Sequence, residues 1–396
     1  MDPISPTVDL ARALIRAPSP SGSEAPAAEV LLSAFHRYGF DRAWTDEVGN
    51  AIGVFERGDG PTVMLNGHID TVPSGDPSLW PHAPLSGVVA DERVWGRGAS
   101  DMKGSLACMV VAAAQAAERG FDGTLIVAGV VQEEVGGLGA RWLSETLAPD
   151  VIVLGEPSKL AFKTGHRGRL EVDVHLPGTI AHAAKAELGA NALYRAAAFL
   201  SALERLDLPS GGPLVGSSAT PTRIRSFPED GANVVPGSAV VTVDYRNLPS
   251  DAPDEVLARL QALDPEAELH VTEERAVSES GAVSRTFPRI NPAYLAPEDH
   301  AWTRFGRSVF ERVLPQHDLP FDEGTWWFAT DAPYLAAHGA VVLGFGPGEE
   351  ELAHTTRESV RIDSLEAATG VYRDVALGLF DGPGDSGDRA APERSR

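Results

Sequence analysis

Short apolar runs alternate with helical stretches along much of the chain. Four runs are almost wholly apolar, as expected of strands that are buried on both faces: residues 62–66, 124–131, 151–154 and 341–345. A helical stretch, residues 104–119, lies between the first two runs. This alternation predicts an α/β domain with a largely parallel sheet.

The pattern changes between about residue 169 and residue 274. Strands and helices are predicted here in the order β-α-β-β-α-β, at residues 170–176, 191–206, 222–227, 239–246, 252–263 and 267–272. That order is typical of a ferredoxin-like unit. We therefore predict a smaller domain, residues 166–285, inserted into a larger one formed by residues 1–165 and 286–381. The unpatterned ending, residues 382–396, is predicted to be a disordered tail.

Composition narrows the class of protein. A length of 396 residues favours two domains, and 43% apolar residues suffice to bury both cores. The formal charge of −23 argues against a nucleic-acid partner, because phosphates require clusters of Lys and Arg. The sequence shows neither a basic start followed by an apolar run nor a window long enough to span a membrane, so we expect a soluble cytoplasmic protein without a membrane partner.

The single cysteine, Cys108, limits the possible metal chemistry. One cysteine cannot form an internal disulfide or a thiolate-rich zinc site. Because Cys108 lies in an apolar run, we predict a buried and inert thiol.

Five polar fragments carry the candidate chemistry, and four of them lie at or soon after the end of a predicted buried strand. They are Gly67-His68-Ile69-Asp70, Asp101, Gln132-Glu133-Glu134, Gly155-Glu156 and Ala353-His354. In parallel sheets, ligands bind beyond the carboxyl ends of the strands, so these side chains are expected to converge on one rim. Together they meet the needs of two zinc-like ions: two or three ligands per ion, a bridging carboxylate and a base.

The spacing suggests separate roles for several of these residues. His68 and Asp70 lie two positions apart on an extended segment, so the Asp70 carboxylate can hold the imidazole. Asp101 lies in a glycine-rich stretch that opens a helix. A phosphate-binding loop is the alternative, but the Gly-Lys-Ser/Thr ending of a P-loop is absent, and a carboxylate with two free oxygens suits bridging.

The adjacent Glu133 and Glu134 can divide the work between metal binding and base catalysis. Each fragment also has a plainer interpretation. The glutamate pair could be a solvated acidic loop, Glu156 a helix-entry carboxylate and His354 a surface histidine.

Taken together, the fragments closely resemble the dizinc hydrolase family of acetylornithine deacetylase, succinyl-diaminopimelate desuccinylase, aminoacylase and glutamate carboxypeptidase. The matching segments are GHIDTVP at 67–73, GRGASDMKG at 96–104, QEEVGGLGA at 132–140, GEPS at 155–158 and GPGEEELAHT at 346–355. The resemblance implies a zinc-peptidase-like catalytic domain with an inserted ferredoxin-like lid and dimerisation domain, and a homodimer.

The resemblance also implies a role for each matching residue. His68, Asp101 and Glu156 would bind one zinc, while Asp101, Glu134 and His354 would bind the other. Glu133 would be the general acid and base, and Asp70 would orient His68. The peptide bond after Asp101 is expected to be cis, as is typical of the family.

Residues of the inserted domain resemble the family's substrate contacts. His182 matches a lid histidine that stabilises the oxyanion, often across a dimer interface. Asn233 and Arg246 match substrate-binding positions, and a guanidinium suits a substrate carboxylate. The alternatives are a turn asparagine and a surface arginine.

A second set of candidate substrate contacts lies in residues 324–331. This stretch resembles the family's Gly-Thr-Asp substrate loop and brings in Thr330. Its two tryptophans, Trp326 and Trp327, could line an acyl pocket or belong to the core.

The predicted reaction is metal-assisted hydrolysis of an amide, most simply the deacylation of an N-acyl amino acid. A carboxypeptidase or dipeptidase acting on a short peptide is the first alternative, and a non-catalytic metal-containing binding protein is the second. The cofactors are predicted to be two divalent ions, zinc or, because such ligands accept them, cobalt or manganese.

Overall fold

The computed structural model describes residues 5–383. The α-helices in this range are α1 (Pro6–Arg16), α2 (Ala25–Arg37), α3 (Gly104–Arg119), α4 (Leu138–Thr146), α5 (Ala192–Glu204), α6 (Pro253–Gln261), α7 (Ala301–Val313), α8 (Ala332–Leu335) and α9 (Ile362–Leu379).

The strands of the same range divide among several sheets. In chain order they are β1 (Arg42–Thr45), β2 (Ala51–Glu56), β3 (Thr62–His68), β4 (Val88–Ala90), β5 (Arg93–Trp95), β6 (Thr124–Val130), β7 (Val151–Leu154), β8 (Phe162–His166), β9 (Arg169–Pro177), β10 (Ala181–His182), β11 (Ser218–Phe227), β12 (Val234–Val235), β13 (Ser238–Arg246), β14 (Glu268–Val271), β15 (Glu273–Val277), β16 (Ser284–Pro288), β17 (Ile290–Asn291), β18 (Tyr294–Leu295), β19 (Glu323–Trp326), β20 (Val341–Gly344) and β21 (Ser359–Arg361).

The largest sheet has nine strands in the order β1-β2-β6-β3-β7-β20-β8-β18, with β19 also paired to β8. Its centre, β6-β3-β7-β20, is parallel and corresponds to the four apolar runs predicted as buried strands. The antiparallel pairings with β2 and β8 flank this centre. The predicted mostly parallel α/β fold is therefore confirmed.

Helix α3 covers the strands that lead into the candidate site. It packs against β3, β6 and α9, and its buried face is rich in small residues. Gly67 of β3 allows this close approach, because a Cβ there would lie 2.3 Å from Met102 Cε, just before α3, and 3.2 Å from Leu106 Cδ2 of α3. Cys108 on α3 is buried as predicted, and burial raises the pKa of its thiol to about 12.

The inserted region forms a five-stranded antiparallel sheet with the order β11-β13-β9-β14, in which β17 also pairs with β9. Leu, Val and Ala side chains of β9 and β13 form a second core with helices α5 and α6. Along the chain these elements follow one another as β9-α5-β11-β13-α6-β14, which is the predicted β-α-β-β-α-β order.

The hairpin of β15 and β16 was not predicted from the sequence, and it packs against the core of the larger sheet. Ala276 is buried in the core of the larger sheet, and Phe287 packs against that same core. The predicted boundary at residue 285 falls within β16 and stays a prediction. Of the predicted tail, residues 384–396 lie outside the described part of the chain.

The helices of residues 5–383 are each too short or too polar to cross a membrane.

Candidate active site

Three neighbouring parallel strands deliver the candidate ligands to one edge of the sheet. His68 is the last residue of β3, and Glu133 follows β6 after two residues. Glu156 follows β7 after one residue, and the loop after the fourth parallel strand, β20, carries His354. Since β6, β3 and β7 are parallel and in register, their carboxyl ends lie together.

Asp101 lies at the centre of the group because its carboxylate contacts both histidines. Its Oδ1 is 2.9 Å from His68 Nε2, and its Oδ2 is 3.3 Å from His354 Nε2. The peptide bond between Asp101 and Met102 is cis, as predicted. One carboxylate that divides its two oxygens between two imidazoles is the arrangement expected of a bridging ligand.

The glutamates lie close to these two histidines. Glu134 Oε1 lies 2.9 Å from His354 Nε2, and Glu156 Oε2 lies 4.0 Å from His68 Nε2. Ligand atoms lie within 4.8 Å of one another in two groups: His68, Glu133 and Glu156, and His68, Asp101 and Glu134. Distance alone therefore leaves both Glu133 and Glu134 able to bind a cation.

The donor set fits two divalent cations. Glu156 is 2% exposed, and its Oε1 has no hydrogen-bond partner among residues 5–383. Both carboxylate oxygens of the nearby Asp331 are also buried without a partner in that range. Buried carboxylates in this number are unfavourable unless cations or protons compensate their charge.

The pKa values of the metal-free cluster show the same excess of negative charge. Burial, together with Glu156 and Asp331, raises the pKa of Glu133 well above its usual value. Burial likewise raises the pKa of Glu156 and Glu134. Hydrogen bonds with Asp101 and Glu134 raise the pKa of His354 to about 10. Without metal, the cluster therefore retains protons that bound cations would displace.

Asp70 contacts the backbone of Glu133 and Glu134 as well as His68, its predicted partner. The nearer contact of His68 Nδ1 is the backbone oxygen of Asp70, at 3.0 Å, whereas the Asp70 carboxylate lies 3.6 Å away. That carboxylate accepts hydrogen bonds from the backbone N–H groups of Glu133 and Glu134, at 3.0 and 3.2 Å. Ser21 Oγ donates a third, at 2.7 Å. Asp70 thus fixes the loop that carries Glu133 and Glu134, called the glutamate loop below, as well as the imidazole of His68.

The predicted substrate loop is buried at Thr330. The Thr330 N–H donates to His166 Nε2 at 3.3 Å, and its hydroxyl accepts from Ala332 N at the start of α8. Trp326 is 2% exposed and donates to Pro157 O, so it belongs to the core, whereas Trp327 is 61% exposed.

Three predicted residues of the inserted domain lie apart from this cluster. His182 and Asn233 are brought together, since His182 pairs with Val234 and Ala183 N donates to Asn233 O. Both side chains are exposed. Arg246 binds Asp244 on its own strand. Among residues 5–383, no hydrogen bond or ion pair joins these three side chains to the candidate metal ligands.

Two buried acids near the centre were missed from the sequence. Asp331 lies at the start of α8 and next to Gly137, whose added Cβ would be 2.7 Å from Asp331 Oδ1. Glu358 accepts hydrogen bonds from the backbone of Ser100 and Asp101. No local pattern marks Glu358, because its partners are about 260 residues away, whereas Asp331 lies within the predicted substrate loop, residues 324–331.

Comparison with known proteins agrees with this geometry. The model of peptidase family M20/M25/M40 matches residues 64–378. Succinyl-diaminopimelate desuccinylase of Stenotrophomonas maltophilia is 30% identical over 391 residues, which cover 93% of this chain and 98% of the relative.

Two solved structures share the fold. Aminopeptidase PepT of Bacillus cereus has a TM-score of 0.75 at 19% identity, with 95% of this chain and 98% of that one covered. The YXEP protein of Bacillus subtilis, described as a dinuclear metal-binding peptidase, has a TM-score of 0.68 at 14% identity, with the same coverage. The residues matched by the family model include all five fragments, so the chain belongs to peptidase family M20/M25/M40, and the predicted metal-dependent hydrolase is confirmed at that level.

Proposed function

We propose that this hydrolase removes the acyl group from an N-acyl amino acid at a two-metal centre. The observation that carries the proposal is the position of Asp101, whose two oxygens face His68 and His354 separately. That arrangement supports two adjacent cation sites with one shared carboxylate.

The ligands that we propose are divided as the family resemblance suggests. His68, Asp101 and Glu156 would hold one ion, and Asp101, Glu134 and His354 the other. Bound zinc, cobalt or manganese would supply a Lewis acid and lower the pKa of a bound water. The choice among these metals stays a prediction, as does a cytoplasmic location.

We assign the proton transfer to Glu133. Its backbone is held by Asp70, and its burial beside other carboxylates favours the protonated form of its side chain. A carboxylate with a raised pKa accepts a proton readily and can return it to the leaving amine. Glu134 is less suited to this role because it is already paired with His354.

An arginine on the five-stranded sheet of the inserted domain, called the lid sheet below, supports a substrate with a free carboxylate. Asp244 is contacted by two guanidinium groups, those of Arg246 and Arg169. Arg169 is also paired with Glu171, at 3.1 Å, so the two cations already face two carboxylates. The free capacity lies in Arg246 Nη1, which has no hydrogen-bond partner within the described residues. Arg246 is therefore oriented and able to bind a second carboxylate.

An assay panel tests the proposed substrate class. N-acetyl, N-succinyl and N-carbamoyl amino acids are compared with dipeptides on one sample of measured metal content. The deacylase proposal expects the highest kcat/KM with an N-acyl amino acid. Faster cleavage of dipeptides would favour the carboxypeptidase or dipeptidase alternative, and tight binding without turnover would favour a binding protein.

We also propose a homodimer formed through the inserted domain. Strand β11 lies at the edge of the lid sheet, and apolar side chains are exposed on it at Ile224 and Phe227. An unpaired edge strand is a template for pairing with a second copy. Light scattering should give the mass of a dimer, and Ile224→Lys should shift it towards the monomer. A monomer in the unmodified protein would contradict the proposal.

A further inference from the structure

The loop that carries Asp101 is held by a carboxylate from near the end of the chain. Glu358 has an exposed fraction of 0%. Its Oε1 accepts hydrogen bonds from the backbone N–H groups of Ser100 and Asp101, both at 3.1 Å. Its Oε2 accepts a charge-assisted hydrogen bond from Arg97. All three contacts lie in the buried interior behind the candidate metal ligands.

Arg97 fixes the orientation of the Glu358 carboxylate. Arg97 is 4% exposed, and its guanidinium lies 5.0 Å from the ring of Trp80. Its backbone N–H donates to Pro84 O at 2.8 Å. With one oxygen committed to Arg97, the other oxygen of Glu358 is left to face the backbone of the Asp101 loop.

The backbone at Asp101 needs such an acceptor. Its φ of −126° and ψ of 92° are not helical, although helix α3 begins three residues later. A buried N–H group outside regular structure is costly unless an acceptor is supplied. Glu358 satisfies two such groups with one oxygen, and in doing so it sets where the Asp101 side chain projects.

The contact also connects the two halves of the proposed metal centre. Glu358 lies four residues after His354, so one segment carries a candidate ligand and the group that holds Asp101. A displacement of this segment would move His354 and Asp101 together relative to His68. Groups behind the ligands commonly fix metal geometry in this way.

We propose that Glu358 is a positioning residue for the two-metal centre, acting through the backbone amides of Ser100 and Asp101. The inference rests on the proposed metal ligands but not on the identity of the substrate. The competing explanation is that Glu358 only neutralises the buried Arg97, in which case its loss would lower stability and leave metal binding intact.

The test is a metal titration of the Glu358→Gln variant. A glutamine keeps the shape but replaces one acceptor oxygen with an N–H₂ donor, so it cannot accept from both the backbone and Arg97. Metal-free protein is titrated with Zn²⁺ against a chromophoric chelator. We expect the affinity for at least one ion to fall roughly 10–100-fold, with a lower kcat and an unchanged KM.

Asp251→Asn is the matched control. Asp251 is a buried carboxylate of the inserted domain that accepts from Ser217, Tyr245 and Arg259, and its loss should lower stability without weakening Zn²⁺ binding. Wild-type Zn²⁺ affinity in Glu358→Gln would overturn the proposal. If that variant does not fold, Glu358→Asp is used instead, because it keeps the charge beside Arg97 but is one methylene shorter. Weakened Zn²⁺ binding in Glu358→Asp would support the proposal, and wild-type affinity would overturn it.

This titration uses no substrate, so it separates the inference from the proposed function. Weakened metal binding in the variant would support the role of Glu358 even if no N-acyl amino acid is hydrolysed by the wild-type protein.

Discussion

Adjacent glutamates at the end of β6 occupy different environments, and the difference supports the roles proposed for them. Glu134 Oε1 is 2.9 Å from His354 Nε2, whereas burial and then the neighbouring carboxylates, Glu156 first, raise the pKa of Glu133. A ligand must stay ionised beside a cation, while a base must exchange a proton. We therefore expect replacement by glutamine to affect turnover at Glu133 and metal binding at Glu134.

The Glu133→Gln variant should retain both metal ions and lose turnover. Because the backbone of Glu133 remains bound to Asp70, the ligands stay in place, and kcat should fall by about 10²–10⁴-fold. Metal content and kcat are measured on the same sample. Glu145→Gln, an exposed position on α4, is the control and should keep both. Loss of an ion from Glu133→Gln would instead identify Glu133 as a ligand.

Arg246→Met tests recognition of the substrate carboxylate. A charge-assisted hydrogen bond contributes about 1.5–3 kcal/mol, so kcat/KM should fall roughly 10–100-fold, through KM, for substrates with a free carboxylate. Amidated analogues should be unaffected. Arg205→Met, an exposed lid arginine at the end of α5, should change neither. Equal losses for both kinds of substrate would remove Arg246 from carboxylate binding.

Elements that are defined by local sequence were predictable. The runs that form β3, β6, β7 and β20 are apolar because both faces of the sheet are covered. An apolar run of this kind can be recognised without knowing which residues pack against it. Helix α3 was predicted with its observed bounds. The order of fragments along these strands was enough to predict which side chains meet at the edge of the sheet.

Elements whose position depends on distant partners were not predictable. Hairpin β15–β16 mixes charged and apolar residues, and only its packing on the larger core shows where it belongs. Glu358 reads as an ordinary acidic residue until the fold brings Arg97 and the Asp101 loop to it. Long-range pairs of this kind leave little local pattern.

Asn50 connects three segments of the chain behind the glutamate loop, and its replacement should weaken that connection. Its side chain accepts from Val131 N at 3.0 Å and donates to Gly139 O at 3.0 Å and to Asp46 at 2.8 Å. Asn50→Ala leaves buried backbone groups without partners, at a cost of about 2–4 kcal/mol.

Urea denaturation of metal-free protein measures the Asn50→Ala effect without stabilisation by bound ions. Asn191→Ala, which removes the exposed cap of α5, should cost about 1 kcal/mol and is the comparison. A loss no larger for Asn50→Ala than for this control would show that the connection contributes little to stability.

At the scale of the whole molecule, the metal centre makes folding stability depend on pH. In the metal-free protein, burial raises the pKa of Glu133 and Glu156 well above the usual value and that of Asp331 to about 7. In the unfolded chain these groups have their ordinary pKa values, about 4, and have lost most of these protons by about pH 5, whereas the folded chain still binds them. Because the folded state binds more protons in this window, its stability falls as pH rises.

The histidines act in the same direction. With a pKa of about 10 in the folded metal-free protein, His354 contributes stability that is complete below about pH 6.5 and is lost as pH rises towards 10. Divalent ions displace these protons, so they bind more tightly at higher pH.

We therefore expect the Tm of chelator-treated protein to decrease from pH 5 to pH 7, while the increase in Tm produced by added Zn²⁺ becomes larger. Calorimetry at three pH values, with and without Zn²⁺, measures both quantities. His354→Ala provides the comparison, since it removes one proposed ligand together with its titration and should reduce the Zn²⁺-dependent increase at pH 7. A metal-free protein more stable at pH 7 than at pH 5 would mean that the buried carboxylates are already compensated within the fold, without any need for cations.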